Sequence, residues 1–216
     1  MAWRWSAALL VLALASAKGD DELAPGKLLV AGRDLGDPNF AQAVILLIDY
    51  GAAHGAMGLI VNRRTDVPLS RLFRDIKEAK SRTDQAYVGG PVELTTVLAL
   101  LKSTVNPGDA KRVFADVYLI NTKDQLQKTL AAGAEPGSFH VFVGYAGWGQ
   151  GQLEHEVELG AWHIMAADPA VVFHSDPESV WPRLIRKTEQ QIARLFSYSA
   201  RNVSSGSTSV ARSAGR

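Results

Sequence analysis

The chain of 216 residues contains no cysteine. It therefore forms no disulfide, no thiolate metal site and no cysteine-linked lipid anchor, and it has no cysteine nucleophile. A protein without thiols also has none to be oxidised outside the cytoplasm. The absence of this one residue type excludes several kinds of chemistry and is compatible with export.

An excess of charge of one sign is also missing. The 23 basic and 22 acidic residues give a net charge of +1. A nearly neutral chain has no general attraction for nucleic acid or for an anionic membrane, so nucleic acid is disfavoured as a partner. The hydrophobic fraction of 47% and the charged fraction of 21% are those of an ordinary globular protein, and the length suits a single domain.

Long hydrophobic runs are absent except near the N-terminus. Arg4 is followed by a nearly unbroken apolar run over residues 6–14, by small residues at Ala15 and Ala17, and then by a polar stretch. This order predicts a signal peptide over residues 1–17. The run is too short to cross a bilayer, which takes roughly 20 residues. We therefore expect an exported protein, periplasmic or secreted, with no stable membrane anchor after cleavage. The alternatives are an uncleaved anchor, or a cytoplasmic protein whose true start lies downstream.

Composition divides the remainder of the chain into three parts. Residues 18–26 form a polar leader with Pro25 and Gly26, which we expect to be flexible. Residues 27–196 carry the apolar periodicity of one domain. Serine, glycine and arginine dominate residues 197–216, and the scarcity of apolar side chains there predicts disorder.

Strand and helix patterns are mixed along the domain. Apolar runs and partial alternation predict strands, and apolar residues three and four positions apart predict amphipathic helices. The predicted strands cover residues 28–31, 43–48, 56–61, 85–88, 95–101, 112–120, 139–143 and 161–165. The predicted helices cover residues 68–77, 123–132 and 152–159, followed by a C-terminal packing element between residues 171 and 196. This mixture indicates the α/β (α+β) class.

Glycine clusters mark three places in the domain. Four glycines lie within residues 144–151, directly after the apolar run 139–143. Two more open the segment 89–92 (GGPV), and two lie within residues 55–62 (GAMGLIVN). Glycine is favoured where the backbone turns tightly or approaches another group closely. We therefore interpret residues 144–151 as a glycine-rich turn after a buried strand.

In combination these three motifs resemble those of the AlgH/YqgE family of bacterial proteins, over roughly residues 27–185. Two positions depart from the family pattern, because Gln150 and Arg64 stand where the family usually carries proline. The resemblance implies a single domain with a mixed, curved, barrel-like sheet and helices packed outside it. It implies no settled biochemical activity, although the family's name suggests a transcription-related regulator.

Local motifs for catalysis or metal binding are missing. There is no G-x-S-x-G elbow for a serine nucleophile, and none of the five histidines has the spacing that builds a metal site locally. His140 and His163 lie in predicted strands and are interpreted as polar residues facing outward. The adjacent Glu154, His155 and Glu156 are interpreted as a solvated helix surface. We predict no metal and no cofactor; a hydrolase-like enzyme with dispersed Asp, Glu and His groups is the alternative.

The candidate binding residues are therefore loop positions that match the family. Glycine-rich loops often line a pocket, and tyrosine and tryptophan offer flat faces to a ligand or partner. Structural roles are the alternative, with an aspartate cap, tight glycine turns and aromatic core residues. We predict a non-enzymatic binding or interaction module with an unidentified protein or small-molecule partner. The tentative binding set is Asp37, Asn62, Gly89, Gly90, Tyr145, Trp148 and Gln152.

A run of basic residues accompanies the helix predicted over residues 68–77. Such a run is typical of a solvated helix face, and an anion site is the alternative. The residues concerned are Arg63, Arg64, Arg71, Arg74, Lys77, Lys80 and Arg82.

Overall fold

A curled sheet of ten strands forms the centre of the domain. The computed structural model describes residues 22–206. Neighbouring strands follow the order β10-β1-β2-β3-β9-β6-β8-β7 and are antiparallel, while β5 pairs in parallel with β9, and β4 pairs with β5. The strands are β1 (Lys27–Ala31), β2 (Val44–Gly51), β3 (Gly55–Ile60), β4 (Arg64–Pro68), β5 (Gln85–Val88), β6 (Val92–Lys102), β7 (Lys111–Phe114), β8 (Val117–Ile120), β9 (Phe139–Trp148) and β10 (Trp162–Ala166).

One end of the sheet, β7, curls back toward β1 and β2. Gly26, just before β1, lies so close to β7 that an added Cβ would be 2.7 Å from the Cβ of Phe114. Lys111 in β7 also forms a 2.7 Å ion pair with Asp49 in β2. The sheet is therefore a half-barrel, and the predicted mixed, curved, barrel-like architecture is confirmed.

Helices pack outside the sheet. The helices predicted over residues 123–132 and 152–159 are confirmed. Within residues 22–206, no helix is both long enough and apolar enough to cross a membrane. The helices are α1 (Leu69–Leu72), α2 (Lys123–Ala131), α3 (Gln152–Glu158), α4 (Pro169–Val172) and α5 (Val180–Gly206), with 3-10 turns at Lys77–Ala79 and Pro177–Ser179.

The strands β1 and β2 are buried because their apolar runs are uninterrupted. Every residue over 28–31 and 44–48 is at most 1% exposed. The beginning of α5 belongs to the same core through Trp181, Leu184 and Ile185. The indole Nε1 of Trp181 donates to the carbonyl oxygen of Ala31 at 2.8 Å, which joins α5 to the end of β1.

The central strand β9 is longer than the sequence predicts. It continues through Gly144 to Trp148, so the predicted glycine-rich turn begins only after Trp148. β6 pairs with β9 as far as Tyr145, whereas β5 pairs with Phe142 and Val143, and β3 pairs with residues 146–148. Gly144 lies between the residues that pair with β5 and those that pair with β3, and its φ is +69°. Glycine suits this left-handed conformation, and an added Cβ would lie 2.5 Å from the carbonyl oxygen of Gly90.

The helix predicted over residues 68–77 is much shorter in the structure. Only α1, a single turn, forms, and the chain then continues through turns. Phe73 and Ile76 are nevertheless buried in the same core cluster as Leu126 of α2. Successive turns bury the residues that the helical spacing selects, so the prediction of a buried face is correct and the prediction of a long helix is wrong.

The strand predicted over residues 112–120 is a hairpin of β7 and β8. The chain reverses at Ala115, where φ is +39°. The apolar residues on both sides of this reversal are Val113 and Val117, and both are buried. A non-glycine residue in the left-handed region is uncommon, so the turn is not visible in the sequence pattern.

The structure describes part of each segment predicted to be flexible. α5 extends to Gly206 and so includes residues 197–206, for which disorder stays a prediction. The helix continues because propagation from an anchored segment is favourable and serine and arginine do not interrupt it. In the leader, Leu23 packs on the core, and the Gly26 N–H donates to the carbonyl oxygen of Leu47 at 2.8 Å. The predicted signal peptide and residues 207–216 lie outside the described residues.

Candidate functional site

The residues predicted as a binding set do not form one pocket. Gly89 and Gly90 lie beside Tyr145, where the chain after β5 crosses β9. The Gly89 N–H donates to the carbonyl oxygen of Val143 at 2.9 Å, and the Gly89 carbonyl accepts from the N–H of Ile60 at 2.8 Å. Tyr145 is half-buried, and burial raises the pKa of its hydroxyl. Gly89, Gly90 and Tyr145 therefore mark the place where the chain leaving β5 passes between the backbones of β3 and β9.

A second group joins Trp148 and Gln152 through Glu156 of α3. Trp148 is 5% exposed; its ring stacks on Phe40 with centroids 6.1 Å apart and meets Trp162 edge-on at 6.0 Å. Glu156 Oε2 accepts hydrogen bonds from Nε1 of Trp148 at 2.9 Å and from Nε1 of Trp162 at 2.8 Å. Glu156 Oε1 accepts from Nε2 of Gln152 at 2.9 Å. Glu156 therefore joins α3 to β9 and β10, and the interpretation of this residue as merely solvated is wrong.

Asp37 and Asn62 each bind backbone groups of the segment that leads into β2. Asp37 Oδ1 accepts from the N–H of Asn39 at 2.8 Å, which stabilises the turn before Phe40. Asn62 is 8% exposed; its Oδ1 accepts from the N–H of Val44 at 2.8 Å, and its Nδ2 donates to the carbonyl oxygen of Gln42 at 2.9 Å. These bonds fix the entry to β2. Binding of a ligand or partner at these positions stays a prediction.

A cleft of about 380 Å³ lies where β5, β9 and the segment after α4 meet. Tyr87 and His140 form its floor, with ring centroids 4.5 Å apart and ring planes inclined by 23°. Tyr87 Oη lies 3.5 Å from His140 Nε2. The ring centroid of Phe173 lies 5.1 Å from that of His140. We name this the Tyr87–His140 cleft; its other lining residues are Arg64, Thr83, Asp84, Gln85, Pro136, Gly137, Phe139, His174 and Ser175.

His140 is buried, so its interpretation as an outward-facing polar residue is wrong. It is 8% exposed, and no hydrogen bond of normal geometry reaches its Nδ1 within the described part of the chain. The segment after α4 folds over this part of β9 with Phe173, which covers the face that alternation would leave in water. Burial lowers the pKa of His140 to about 4, despite the opposite effect of the nearby carbonyls of Val172 and Pro136. The imidazole is therefore neutral at pH 7.

The charged groups of the cleft are Arg64 and Asp84. The carboxylate of Asp84 is already bound by Arg82, whose Nε and Nη2 donate to its two oxygens at 2.6 Å and 2.7 Å. Arg64 is exposed and donates from Nη1 to the carbonyl oxygen of Ser175 at 3.3 Å. Of the basic residues singled out in the sequence, Arg64 is thus the one that brings an uncompensated charge to this cleft.

Sequence reasoning missed Tyr87, His140 and Phe173 as site residues. The signal available was a histidine inside an apolar strand run, because a buried polar group is costly and is retained for a reason. Among residues 22–206, no group of three or more His, Asp or Glu side chains is arranged to hold a metal ion.

Acid is expected to destabilise the domain through His140. Below pH 6.5 the unfolded chain protonates this residue, whereas the folded protein, with a pKa of about 4, does not, so stability falls as the pH falls. The loss reaches about 3 kcal/mol by pH 4. Denaturant unfolding across this range should show a weaker pH dependence in His140→Gln, whereas His155→Gln, which changes an exposed histidine, should follow the wild type. The same pH dependence in all three proteins would contradict the assignment to His140.

The half-barrel sheet with helices outside it places the chain in a class of single α/β domains that has solved members. The fold is similar to the crystal structure of a Corynebacterium diphtheriae protein, with a TM-score of 0.65, 25% identity, and coverage of 81% of this chain and 92% of that chain. It is also similar to the solution structure of AlgH from Pseudomonas aeruginosa, with a TM-score of 0.59, 29% identity and the same coverage.

The family is shown by the sequence comparisons. A family model described as AlgH-like matches residues 28–193, so the chain belongs to the AlgH-like family. A UPF0301 protein of Streptomyces avermitilis is 34% identical over 185 residues, which cover 80% of this chain and 91% of the relative. A UPF0301 protein of Chlorobium limicola is 34% identical over 170 residues, which cover 77% and 87%. The predicted family is confirmed, and these names state no reaction, ligand or partner.

Proposed function

We propose that this protein is a non-enzymatic binding module and that the Tyr87–His140 cleft is its ligand site. The observation that supports this most is the buried imidazole of His140, whose Nδ1 makes no hydrogen bond of normal geometry in the described part of the chain, although the carbonyls of Val172 and Pro136 lie nearby. Leaving a buried polar group unpaired costs about 1–3 kcal/mol, and native proteins retain such groups mainly where function needs them.

The size and rigidity of the cleft are those of a small-molecule site. Its volume of about 380 Å³ lies within the range of ligand pockets. Tyr87 is placed by β5, which pairs in parallel with β9 at Phe142, two residues beyond His140. Because both side chains stand on paired strands, their positions are fixed before a ligand arrives, which lowers the entropic cost of binding.

Binding at this cleft is tested by NMR of the histidine side chains in the mature chain. Small metabolites are added singly, and we expect at least one to shift the ring resonances of His140 more than those of the exposed His155 and to raise the melting temperature. The variant His140→Gln should weaken that binding by about tenfold, because one ring contact is worth about 1.4 kcal/mol. A metabolite that stabilises the protein without affecting His140 would contradict the cleft as the ligand site.

A hydrolase-like enzyme is the second candidate, favoured by the proximity of Tyr87 and His140. A hydroxyl 3.5 Å from a neutral imidazole resembles a loose nucleophile–base pair, and such pairs tighten when a substrate binds. Mass spectrometry of the bound metabolite separates the two proposals. Recovery of the unchanged compound supports a binding module, whereas conversion that is lost in Tyr87→Phe supports an enzyme.

We also propose that the protein acts outside the cytoplasm, on the strength of the signal-peptide pattern over residues 1–17. Intact-mass measurement on protein from fractionated native cells tests this proposal. The expected product lies outside the cytoplasm, begins at Lys18 and lacks 17 residues. A full-length product in the cytosol would reject export and would favour the regulatory alternative.

A further inference from the structure

We infer that the Tyr87–His140 cleft binds a planar monocarboxylate, an organic acid with one carboxylate on a flat apolar body. This inference rests on the proposed ligand site and adds the chemical class of its ligand. It follows from the charge that the cleft leaves uncompensated, from the weakly committed hydroxyl at its floor and from its apolar walls.

The charge available to a ligand is a single positive one. Asp84 and Arg82 form a salt bridge whose side chains are only 13% and 14% exposed, so this carboxylate is already compensated. His174 is engaged with Arg183, whose Nη1 lies 3.3 Å from His174 Nε2. Arg64 uses Nη1 for a backbone carbonyl, and a guanidinium has five N–H donors, so donors are left for a ligand. One guanidinium matches one carboxylate in both charge and geometry.

The floor of the cleft supplies a second donor. The hydroxyl of Tyr87 lies 3.5 Å from His140 Nε2, which is at the outer limit of a hydrogen bond, so its hydrogen is weakly committed. Arg64 lines the same cleft as Tyr87 and His140, so its guanidinium and the floor border the same space. A carboxylate in that space can accept from Arg64 and from Tyr87 together.

The remaining walls favour a flat apolar body. Phe173 is half-buried and packs beside His140, and Pro136 and Phe139 add further apolar surface. Aromatic and imidazole rings gain most from an offset or edge-on contact with another flat group. A ligand with its carboxylate at Arg64 would place such a body against these rings.

The test compares benzoate with benzamide, which has the same flat ring and no charge. Both are titrated into the mature chain at low ionic strength, with the ring resonances of His140 as the readout. We expect benzoate to bind at least about tenfold more tightly than benzamide. The variant Arg64→Gln should weaken the binding of benzoate by about tenfold and leave the binding of benzamide unchanged. The matched variant Arg71→Gln removes an equal charge from an exposed residue outside the cleft and should leave both affinities unchanged.

The outcomes separate this inference from the proposed function. Equal binding of benzoate and benzamide, with shifts at His140, would overturn the carboxylate preference and leave the cleft as a ligand site. If Arg64→Gln and Arg71→Gln weaken the binding of benzoate equally, the carboxylate preference of the cleft is also overturned. The effect would then come from the overall charge of the protein. If neither probe shifts His140 while a metabolite from the wider panel does, the carboxylate inference fails and the ligand site stands. If nothing shifts His140, both fail.

Discussion

Replacing Gly90 with alanine is expected to destabilise the domain by more than about 4 kcal/mol, a large share of the roughly 5–15 kcal/mol that separates a folded domain from its unfolded state. The new Cβ would lie 2.1 Å from the carbonyl carbon of Tyr145 and 2.3 Å from the nitrogen of Ala146. Both atoms belong to the backbone of β9, which is paired to neighbouring strands and has no room to retreat. The φ of Gly90, +157°, adds strain for any residue with a side chain.

Urea denaturation followed by circular dichroism measures this effect. The matched control is Gly36→Ala, because nothing lies within 4 Å of a Cβ at that position. We expect the control to change the free energy of unfolding by less than about 0.5 kcal/mol. A soluble Gly90→Ala protein with an unfolding free energy close to that of the wild type would refute the crossing of Gly90 over β9.

Replacing Glu156 with alanine is expected to cost about 3 kcal/mol of stability. Two buried indole donors, those of Trp148 and Trp162, would lose their shared acceptor, and each unsatisfied donor costs about 1–3 kcal/mol. The Glu156 side chain is half-buried, so water can partly replace it as an acceptor. The combined cost of the two unsatisfied indole donors therefore stays below the upper limit of that range. The loss should appear in the urea midpoint and in the near-ultraviolet circular dichroism of the tryptophans.

Two variants control this experiment. Glu158→Ala removes an exposed carboxylate from the same helix and should cost less than about 0.5 kcal/mol. Glu156→Gln keeps one acceptor oxygen, so it should lie between Glu156→Ala and the wild type. If Glu156→Ala is as stable as Glu158→Ala, the two indole hydrogen bonds contribute nothing to the fold.

The sequence predicted most elements of the fold because their signals are local. Uninterrupted apolar runs marked β1 and β2, and the spacing of apolar residues marked α2. The extension of β9 through Gly144 was not predictable in this way, since glycine inside an apolar run normally indicates a turn. What keeps the strand extended is pairing with β3 and contact with Gly90, both of which come from distant parts of the chain.

The candidate site was harder to predict than the fold for a related reason. Tyr87 and His140 lie 53 residues apart, and only the parallel pairing of β5 with β9 brings them together. Trp148 was selected because its residue type suits ligand binding, yet its ring is enclosed by Phe40 and Trp162. Residue type and spacing identify side chains whose chemistry suits binding or catalysis. Burial and the partners of each side chain decide which of them a ligand can reach.

The place of β9 in the sheet also affects the time at which the protein can fold during synthesis. β9 lies between β3 and β6, although it is the ninth strand to leave the ribosome. A nascent chain that has emerged only through β8 presents two strand edges without their partner, and such edges attract chaperones or aggregate. Because residues 139–148 lie about two thirds of the way along the chain, the half-barrel sheet cannot be completed until late in translation. Late closure therefore keeps the central sheet incomplete for most of the time that the chain is being synthesised.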